Sequence, residues 1–240
     1  MKSRTAGWSY AACSDHAALW PPSSLLFHVK QDVDAIVSGL SAEQRGQLGA
    51  FSKLLQGWGA KFGLIGPAEG DRVWQRHIRD SLRAVPCIDA ADRDIFDLGS
   101  GAGLPGVPIA IAVPRARMVL IEPKGRRAAF LELVVERLSL TNTIVLVAAA
   151  GAVKDRADLV TARALAPPAE AWRLAEPLLN EWGRLLYFAG RRWRDSGGGA
   201  VSAAGGRVDE CVPANLEWEG SIVMISRRSD PERVEAEDDG

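Results

Sequence analysis

The most constraining feature of this 240-residue sequence is the stretch DIFDLGSGAGLPG at residues 94 to 106. A short apolar run ends at Asp97, and a cluster of glycines follows it. Glycine adopts the backbone conformations of a tight turn at little cost and leaves the backbone open to a ligand. We therefore expect a β-strand that turns abruptly into a helix beginning near Leu104, with the free N–H groups of the helix facing the same spot. Such a loop is typical of a nucleotide-type cofactor site.

Two glycine motifs overlap in this loop. The pattern acid-x-Gly-x-Gly-x-Gly, which is used for S-adenosylmethionine, starts at Asp97 and has Leu104 where a dinucleotide fingerprint has Gly or Ala. Gly101, Gly103 and Gly106 also satisfy the dinucleotide pattern G-x-G-x-x-G. Asp97 favours the methyl donor, because a carboxylate suits the ammonium of a methionine moiety and opposes a pyrophosphate. The predicted cofactor-binding residues of the loop are Asp97, Gly99, Ser100, Gly101 and Leu104.

Composition excludes several classes of protein. A hydrophobic content of 47% is sufficient for a buried core, and 29 basic residues balance 30 acidic ones, so a nucleic-acid surface has to be a local patch. No apolar run approaches the roughly 18 residues of a membrane span, which predicts a cytoplasmic protein with no membrane partner. The three histidines are too scattered to predict a metal site.

Strands alternate with helices along most of the chain. Strands are predicted for the apolar run that Asp97 closes and at 117–122, 144–148, 158–163, 184–189, 207–212 and 220–226. Helices are predicted at 32–40, 72–85, 124–138 and 168–179. A further helix is predicted to begin at a capping box formed by Ser41 and Gln44, and a Gly- and Arg-rich connection is predicted at 190–206. This alternation predicts an α/β fold with a mostly parallel seven-stranded sheet. The predicted regions are a leader at 1–30, a helical region at 31–88, the main domain at 89–228 and a disordered acidic tail at 229–240.

The predicted helix at 72–85 carries two kinds of residue at helical spacing. Trp74, Ile78, Leu82 and Val85 form an apolar stripe, and a second stripe contains Arg72, Arg76, Arg79 and Arg83. An arginine stripe is consistent with an ordinary solvated face or with a surface that contacts RNA phosphates. Both interpretations stay open at this stage.

Charged residues also follow the predicted strands. Glu122 ends the second strand, where a carboxylate accepts hydrogen bonds from ribose hydroxyls or is simply exposed to solvent. Arg163 ends the fourth strand, and Lys124, Arg126 and Arg127 follow the second as candidate phosphate contacts. No nucleophile with a neighbouring base is visible, which fits methyl transfer, since the sulfonium of the donor is already activated.

Four segments together resemble a known family. They are WQRHIRDSL, DLGSGAGLPGVPIAI, LIEPKGRRAAFLELV and DLVTARALA, and they resemble the small-subunit ribosomal RNA guanine-N7 methyltransferases, the RsmG or GidB family, from about residue 33 to residue 228. The resemblance implies a class I methyltransferase fold with N-terminal helices, S-adenosylmethionine as donor, and a guanine of 16S rRNA as acceptor. It also implies a monomer that acts on the rRNA or on an assembling 30S particle.

Site residues follow from the resemblance by position. Gly99 and Leu104 line the cofactor, Glu122 meets the ribose, and Arg163 lies at the shared edge of cofactor and substrate. His77, Asp80 and Arg76 border the active-site cleft, and His77, Asp80 and Arg163 are the catalytic candidates.

The sequence departs from the family pattern in two places. After the third strand the family has Arg-x-Glu, whose acid lies near the adenine, whereas this chain has Ala149, Ala150 and Gly151. After the fifth strand the family has a lysine before a glycine, whereas this chain has Ala189, with Arg191 and Arg192 next to replace the charge. These losses bear on cofactor affinity and turnover more than on the fold. The alternatives to the rRNA methyltransferase are a methyltransferase for another RNA or a small molecule, a catalytically weakened RNA-binding relative, and a dinucleotide oxidoreductase.

Overall fold

The centre of the fold is a seven-stranded sheet, seen in a computed structural model that describes residues 33–59, 63–66, 69–190, 193–212 and 220–228. The strands are β1 (Asp94–Leu98), β2 (Arg117–Ile121), β3 (Thr143–Leu146), β4 (Ala157–Arg163), β5 (Leu179–Phe188), β6 (Gly206–Val212) and β7 (Ile222–Arg227). Their order is β3-β2-β1-β4-β5-β7-β6, and only β7 runs antiparallel to its neighbours. The predicted mostly parallel sheet is confirmed. The strand order runs outwards to β2 and β3 on one side of β1 and to β4 and β5 on the other. In open α/β sheets, ligands bind at the carboxyl ends of the strands where the order reverses in this way, here between β1 and β4.

Helices cover both faces of this sheet. They are α1 (Val33–Gly39), α2 (Ala42–Trp58), α3 (Arg79–Leu82), α4 (Gly106–Ala112), α5 (Gly125–Arg137), α6 (Pro168–Ala175) and α7 (Trp193–Ala203). Within the described ranges, no helix has the length and apolar character needed to cross a bilayer. The predicted leader and the predicted tail, 1–30 and 229–240, lie outside the described residues.

The position of α7 corrects one sequence prediction, because residues 190–206 were expected to form an irregular connection. Three successive glycines lower the intrinsic helix propensity of this segment, but packing overrides propensity when a helix buries an apolar face. Val201 is fully buried, and the ring of Trp193 lies 6.1 Å from that of Tyr187. A Cβ on Gly197 would approach Trp193 Cε3 to 2.2 Å, so the absence of a side chain makes room for the indole.

Alternate residues of β1 supply two separate cores. Ile95 points into a core that includes Phe51 of α2. Phe96 and Leu98 point into the other core, which includes Trp172 of α6. Asp97 shares the face of Ile95, since side chains alternate along a strand, and it is therefore directed towards α4.

The N-terminal helices are fixed to the first core by specific contacts. The predicted capping box is present: Gln44 N donates to Ser41 Oγ at 3.1 Å and Ser41 N donates to Gln44 Oε1 at 2.8 Å. The amide of Gln44 also donates to the carbonyl of Ile111 in α4 at 2.7 Å. Phe51 and Leu55 are fully buried, whereas Trp58, at the end of α2, is 42% exposed. The helical spacing of Phe51, Leu54, Leu55 and Trp58 predicts that all four belong to the core, and this prediction is wrong for Trp58.

The segment predicted as one helix at 72–85 is instead divided into several helical types. A 3₁₀ turn at Gly70–Arg72 leads to a π-helical turn at Trp74–Ile78, followed by α3 and a 3₁₀ turn at Val85–Cys87. A π turn places an additional residue in the helical circuit and therefore rotates every later side chain about the axis. The arginine spacing that suggested one continuous face does not survive this rotation.

Candidate active site

The glycine loop lies at the carboxyl end of β1, as predicted. Gly99, Gly101 and Gly103 have φ values of 70°, 53° and 82°, a region that side-chain-bearing residues adopt only with strain. The amides of Gly99 and Ser100 both donate to the carbonyl of Ile121, at 2.9 and 3.0 Å. The loop is thus folded over the end of β2.

Glu122 lies directly beneath this loop. Its Oε2 accepts from the Gly101 amide at 2.9 Å, its Oε1 accepts from the Lys124 amide at 2.9 Å, and the residue is only 2% exposed. The alternative of a solvent-exposed acid is therefore wrong. A carboxylate has about four acceptor positions, so two are left for the hydroxyls of a ribose.

The buried carboxylate of Asp97 links the glycine loop to β4 and to the start of α4. Oδ1 accepts from Thr161 Oγ1 at 2.7 Å, and Oδ2 accepts from the Gly106 amide at 3.2 Å. A Cβ on Gly106 would lie 2.6 Å from Asp97 Oδ2, so glycine is needed for this close approach. Burial raises the pKa of Asp97 to about 6, although the hydrogen bonds oppose the rise. The carboxylate is still mostly ionised at pH 7.

The remaining loop residues differ in how they face a ligand. The hydroxyl of Ser100 is buried and donates to the carbonyl of Asp97 at 2.8 Å, so only its backbone can contact a cofactor. Leu104 is half-buried and packs against the first core. Ala150 and Gly151 lie in a 3₁₀ turn after β3, and no atom lies within 4 Å of a Cβ built on Gly151.

The three catalytic candidates lie together at the end of β4. Leu98 and Ala162 are paired across β1 and β4, so Arg163, the last residue of β4, lies at the same level of the sheet as Gly99, which follows β1. The Arg163 guanidinium lies 3.3 Å from Asp80 Oδ2 and 3.1 Å from His77 Nδ1. It also donates to the backbone carbonyls of Arg76 and His77, at 3.3 and 3.4 Å. Arg163 therefore joins the sheet to the segment that precedes α3.

The surroundings of His77 favour a neutral imidazole. Burial and the neighbouring Arg163 lower the pKa of His77, against the opposing charges of Glu69 and Asp80. Its Nε2 lies 3.2 Å from Glu69 Oε2. His77 thus stands between a cation and a carboxylate.

Burial changes the interpretation of the arginine stripe. Arg83 is 2% exposed and donates to Asp80 Oδ1 at 2.7 Å and to the Gly220 carbonyl at 3.0 Å, so its prediction as an RNA contact is wrong. Arg76 is paired with Glu69 at 2.8 Å, and Arg79 is paired with Asp34. Arg72 is exposed. The π turn and the pairing of three of these arginines with acidic residues explain why the four side chains do not share one solvated face.

Other basic residues surround the glycine loop. Lys124 and Arg126 are exposed at the start of α5, and Arg127 Nη1 would lie 3.8 Å from a Cβ on Gly101. Arg191 and Arg192 lie outside the described residues. In the part of the chain that the structure describes, no cluster of His, Cys, Asp or Glu is arranged to hold a metal ion.

Sequence reasoning missed two residues of this site. Thr161 is fully buried and holds Asp97, and Glu69 holds Arg76 and His77. Thr161 belongs to an apolar strand, where threonine is common, so its role had no sequence signal. Glu69 lies in an irregular segment with no periodicity to indicate which side chains it meets.

Comparison with known proteins agrees with this geometry. Residues 44–197 match the family model GidB, described as rRNA small subunit methyltransferase G. The ribosomal RNA small subunit methyltransferase G of Mycolicibacterium smegmatis is 42% identical over 146 residues, covering 59% of this chain and 62% of that protein. The protein of the same name from Acidothermus cellulolyticus is 44% identical over 172 residues, covering 71% of this chain and 72% of that protein. The match to the protein of the same name from Mycolicibacterium gilvum covers 64% of that protein. The chain therefore spans less than two thirds of the length of the M. smegmatis and M. gilvum proteins.

Solved structures show the same fold. The ribosomal protein L11 methylase of Lactobacillus delbrueckii subsp. bulgaricus aligns with a TM-score of 0.51 at 13% identity, covering 63% of this chain and 78% of that chain. The mitomycin 7-O-methyltransferase MmcR aligns with a TM-score of 0.54 at 16% identity, covering 67% of this chain and 56% of that chain. The architecture is that of class I S-adenosylmethionine-dependent methyltransferases. The family match extends from α2 into α7, and the chain therefore belongs to the GidB family, the rRNA small subunit methyltransferase G proteins.

Proposed function

We propose that this chain transfers a methyl group from S-adenosylmethionine to N7 of a guanine in small-subunit (16S) rRNA. The observation that carries the proposal is the family match, because residues 44–197 include every described residue of the candidate site. The proposed partner is this rRNA or an assembling 30S particle, met in the cytoplasm by a monomer. The guanine and its N7 position come from the family resemblance alone.

The residues present fit the donor. The glycine loop provides a narrow cradle without side chains, since a Cβ on Gly99 would lie 2.5 Å from Leu165 Cδ1. Glu122 accepts from the ribose in this proposal, and the ionised Asp97 provides negative charge for the methionine ammonium. When bound, S-adenosylmethionine supplies a methyl group on a positively charged sulfur. Ala150 and Gly151 line the adenine side with no side-chain oxygen.

The acceptor side requires alignment rather than a base. The N7 of guanine carries its own lone pair and is unprotonated at neutral pH, so no proton has to be removed before attack. This requirement agrees with His77, both of whose ring nitrogens already face partners, Arg163 and Glu69. We assign His77, Asp80 and Arg163 to the cleft wall that orients the guanine.

Phosphate contacts are assigned to the exposed basic residues near the loop. Arg72, Lys124 and Arg126 are exposed to solvent, whereas Arg76 and Arg79 have to release acidic partners before they meet RNA. Arg127, Arg191 and Arg192 remain candidates on sequence grounds. Such contacts contribute affinity without sequence preference and weaken as salt is added.

Transfer of a radiolabelled methyl group tests the proposal. We expect label to enter small-subunit rRNA, as naked rRNA or as 30S particles, in the presence of wild-type protein, and Glu122→Ala to abolish donor binding measured by calorimetry. Binding of NAD with no binding of S-adenosylmethionine would refute the donor assignment. Label in a small molecule or another RNA would refute the acceptor assignment.

The missing acid after β3 favours one second candidate, a catalytically weakened relative that keeps RNA binding. In that case the protein binds rRNA with the expected salt dependence, but labelled methyl does not transfer even at saturating donor concentration. The same experiment therefore separates the two candidates.

A further inference from the structure

Glu69 is a charged residue at the candidate site that neither the sequence pattern nor the family resemblance assigns. Its Oε1 accepts from Arg76 Nη1 at 2.8 Å, and its Oε2 lies 3.2 Å from His77 Nε2. Glu69 Oε2 and His77 Nε2 are both shielded from solvent, and neither forms a hydrogen bond with the described residues, although the two atoms lie only 3.2 Å apart. A buried polar atom without a hydrogen bond is costly, and a small rotation of either side chain would let these two atoms satisfy each other.

The other nitrogen of the ring determines which tautomer His77 adopts. His77 Nδ1 lies 3.1 Å from Arg163 Nη2, and a guanidinium is a donor only. Nδ1 must therefore present its lone pair, and a neutral ring then carries its proton on Nε2. That proton is on the ring nitrogen that faces the Glu69 carboxylate, whose Oε2 lies 3.2 Å away.

The contact between His77 and Arg163 is one of several that set the position of the guanidinium. Arg163 also reaches Asp80 at 3.3 Å and Ser81 Oγ at 3.5 Å, and its guanidinium lies 5.9 Å from the ring centroid of Phe188. These partners surround the guanidinium at the end of β4, next to the glycine loop. Rotation or tautomer exchange of His77 would replace an acceptor by a donor and push the guanidinium away.

We propose that Glu69 is a positioning residue that holds His77 in the neutral Nε2–H tautomer and thereby fixes Arg163 at the rim of the active site. The proposal deepens the methyl-transfer function and rests on it for its catalytic consequence. The chain of contacts runs from Glu69 through His77 to Arg163. The structural part of the proposal, the tautomer, can be measured without any methyl transfer.

Nitrogen NMR on ¹⁵N-histidine-labelled full-length protein tests the tautomer directly. The sequence has only three histidines, and the signal lost in His77→Gln identifies the ring of interest. We expect wild-type His77 to show a protonated Nε2 and an unprotonated Nδ1 at pH 7.5. A protonated Nδ1, or an imidazolium, would overturn the proposal without any variant of Glu69.

The variant Glu69→Gln then tests the cause. Its amide oxygen can accept from Arg76 or from His77 but not from both, so one donor faces an NH₂ group. We expect the Nε2–H tautomer to lose population and kcat to fall about ten-fold or more, since small displacements of aligned groups cost that much. Affinity for S-adenosylmethionine should not change, because the polar partners of the Glu69 side chain among the described residues are Arg76 and His77, which belong to neither the glycine loop nor β2. Glu69→Asp keeps the carboxylate and should recover part of the loss.

Asp34→Asn is the matched control, since it removes an exposed acid that pairs with Arg79 on the neighbouring segment. This variant should keep the wild-type His77 signals and the wild-type kcat. An unchanged tautomer in Glu69→Gln, with or without a loss of kcat, would overturn the positioning role. If wild-type protein transfers no methyl group but shows the expected tautomer, the proposed function fails while the role of Glu69 in orienting His77 stands.

Discussion

Replacement of Asp97 by asparagine should change how the stability of the protein depends on pH. Burial raises the pKa of Asp97 from 3.8 to about 6, so the folded state holds this proton more tightly than the unfolded state does. The contribution of the group to the free energy of unfolding is then fully present below pH 3.8 and is lost as the pH rises through about 6. Asp97→Asn removes this titration.

The magnitude follows from the two pKa values. A rise from 3.8 to about 6 corresponds to about 3 kcal/mol over the whole titration, of which about 1.4 kcal/mol lies between pH 5 and pH 8. Asparagine has one side-chain oxygen instead of two, so either the Gly106 amide, which now donates to Oδ2 at 3.2 Å, or the Thr161 hydroxyl loses its acceptor. Leaving that buried donor unpaired costs about 1 to 3 kcal/mol at every pH.

Urea denaturation of both proteins at pH 5, 6, 7 and 8 measures the effect. Asp97→Asn should be less stable than wild type at pH 5, and the difference should shrink by about 1.4 kcal/mol by pH 8. Thr161→Val is the control, because it keeps the carboxyl group and removes a hydrogen bond that lowers the pKa. The free energy of unfolding of Thr161→Val should depend on pH at least as steeply as that of wild type. A difference between Asp97→Asn and wild type that is constant from pH 5 to pH 8 would refute the reasoning.

Three other substitutions test separate parts of the account. Gly151→Glu should tighten S-adenosylmethionine binding about five- to thirty-fold, measured by calorimetry, because a carboxylate can accept a hydrogen bond from the adenine amino group. If both Gly151→Glu and Ala150→Glu bind the donor with equal or weaker affinity than wild type, the placement of the adenine is wrong. Arg83→Ala should lower the free energy of unfolding by about 1.5 to 3 kcal/mol, because it removes the hydrogen bonds of a buried guanidinium to Asp80 and Gly220 and leaves Asp80 with Arg163 only, and a loss below about 1 kcal/mol would argue against a structural pair. Arg126→Ala should reduce the salt slope of rRNA binding by about 0.7 to 0.9, and an unchanged slope would remove this residue from the RNA surface.

The sheet and the glycine loop could be predicted from sequence because their signals are local. Apolar runs such as DIFDL and RMVLI are long enough to identify buried strands, and the glycines after Asp97 demand backbone conformations that other residues avoid. Their parallel order follows from the helices between them. The predicted strand ends differ from the observed ones mainly in β5, which begins at Leu179 rather than at Arg184.

The departures arise where tertiary contacts outweigh local pattern. Helix α7 forms across three glycines because Val201 and Trp193 pack against the second core. The arginine spacing at 72–85 assumes 100° per residue, and the π turn at Trp74–Ile78 breaks that assumption. Arg83 and Asp80 are three residues apart, so their pairing is compatible with helical spacing, but the second partner of the buried Arg83 is the carbonyl of Gly220, which is 137 residues away in sequence.

The charged residues of the candidate site could also be predicted from sequence, but their contacts could not. Asp97, Glu122 and Arg163 were identified because acids and cations at strand ends meet at one edge of a parallel sheet. The surrounding contacts were not predictable, since Thr161, which donates to Asp97, and Glu69, which pairs with Arg76 and lies beside His77, are brought in by other segments. The roles of these residues towards cofactor and RNA remain predictions of this account.

The most direct test of the central claim is the 7-methylguanine content of small-subunit rRNA from a strain that lacks the gene. The rRNA is digested to nucleosides for mass spectrometry, and the modified position is mapped by chemical cleavage at 7-methylguanine. We expect the loss of a single 7-methylguanine, and its restoration when the isolated rRNA or 30S particle is incubated with purified protein and S-adenosylmethionine. An unchanged 7-methylguanine content in the deletion strain, together with no methyl transfer by the purified protein, would contradict the account.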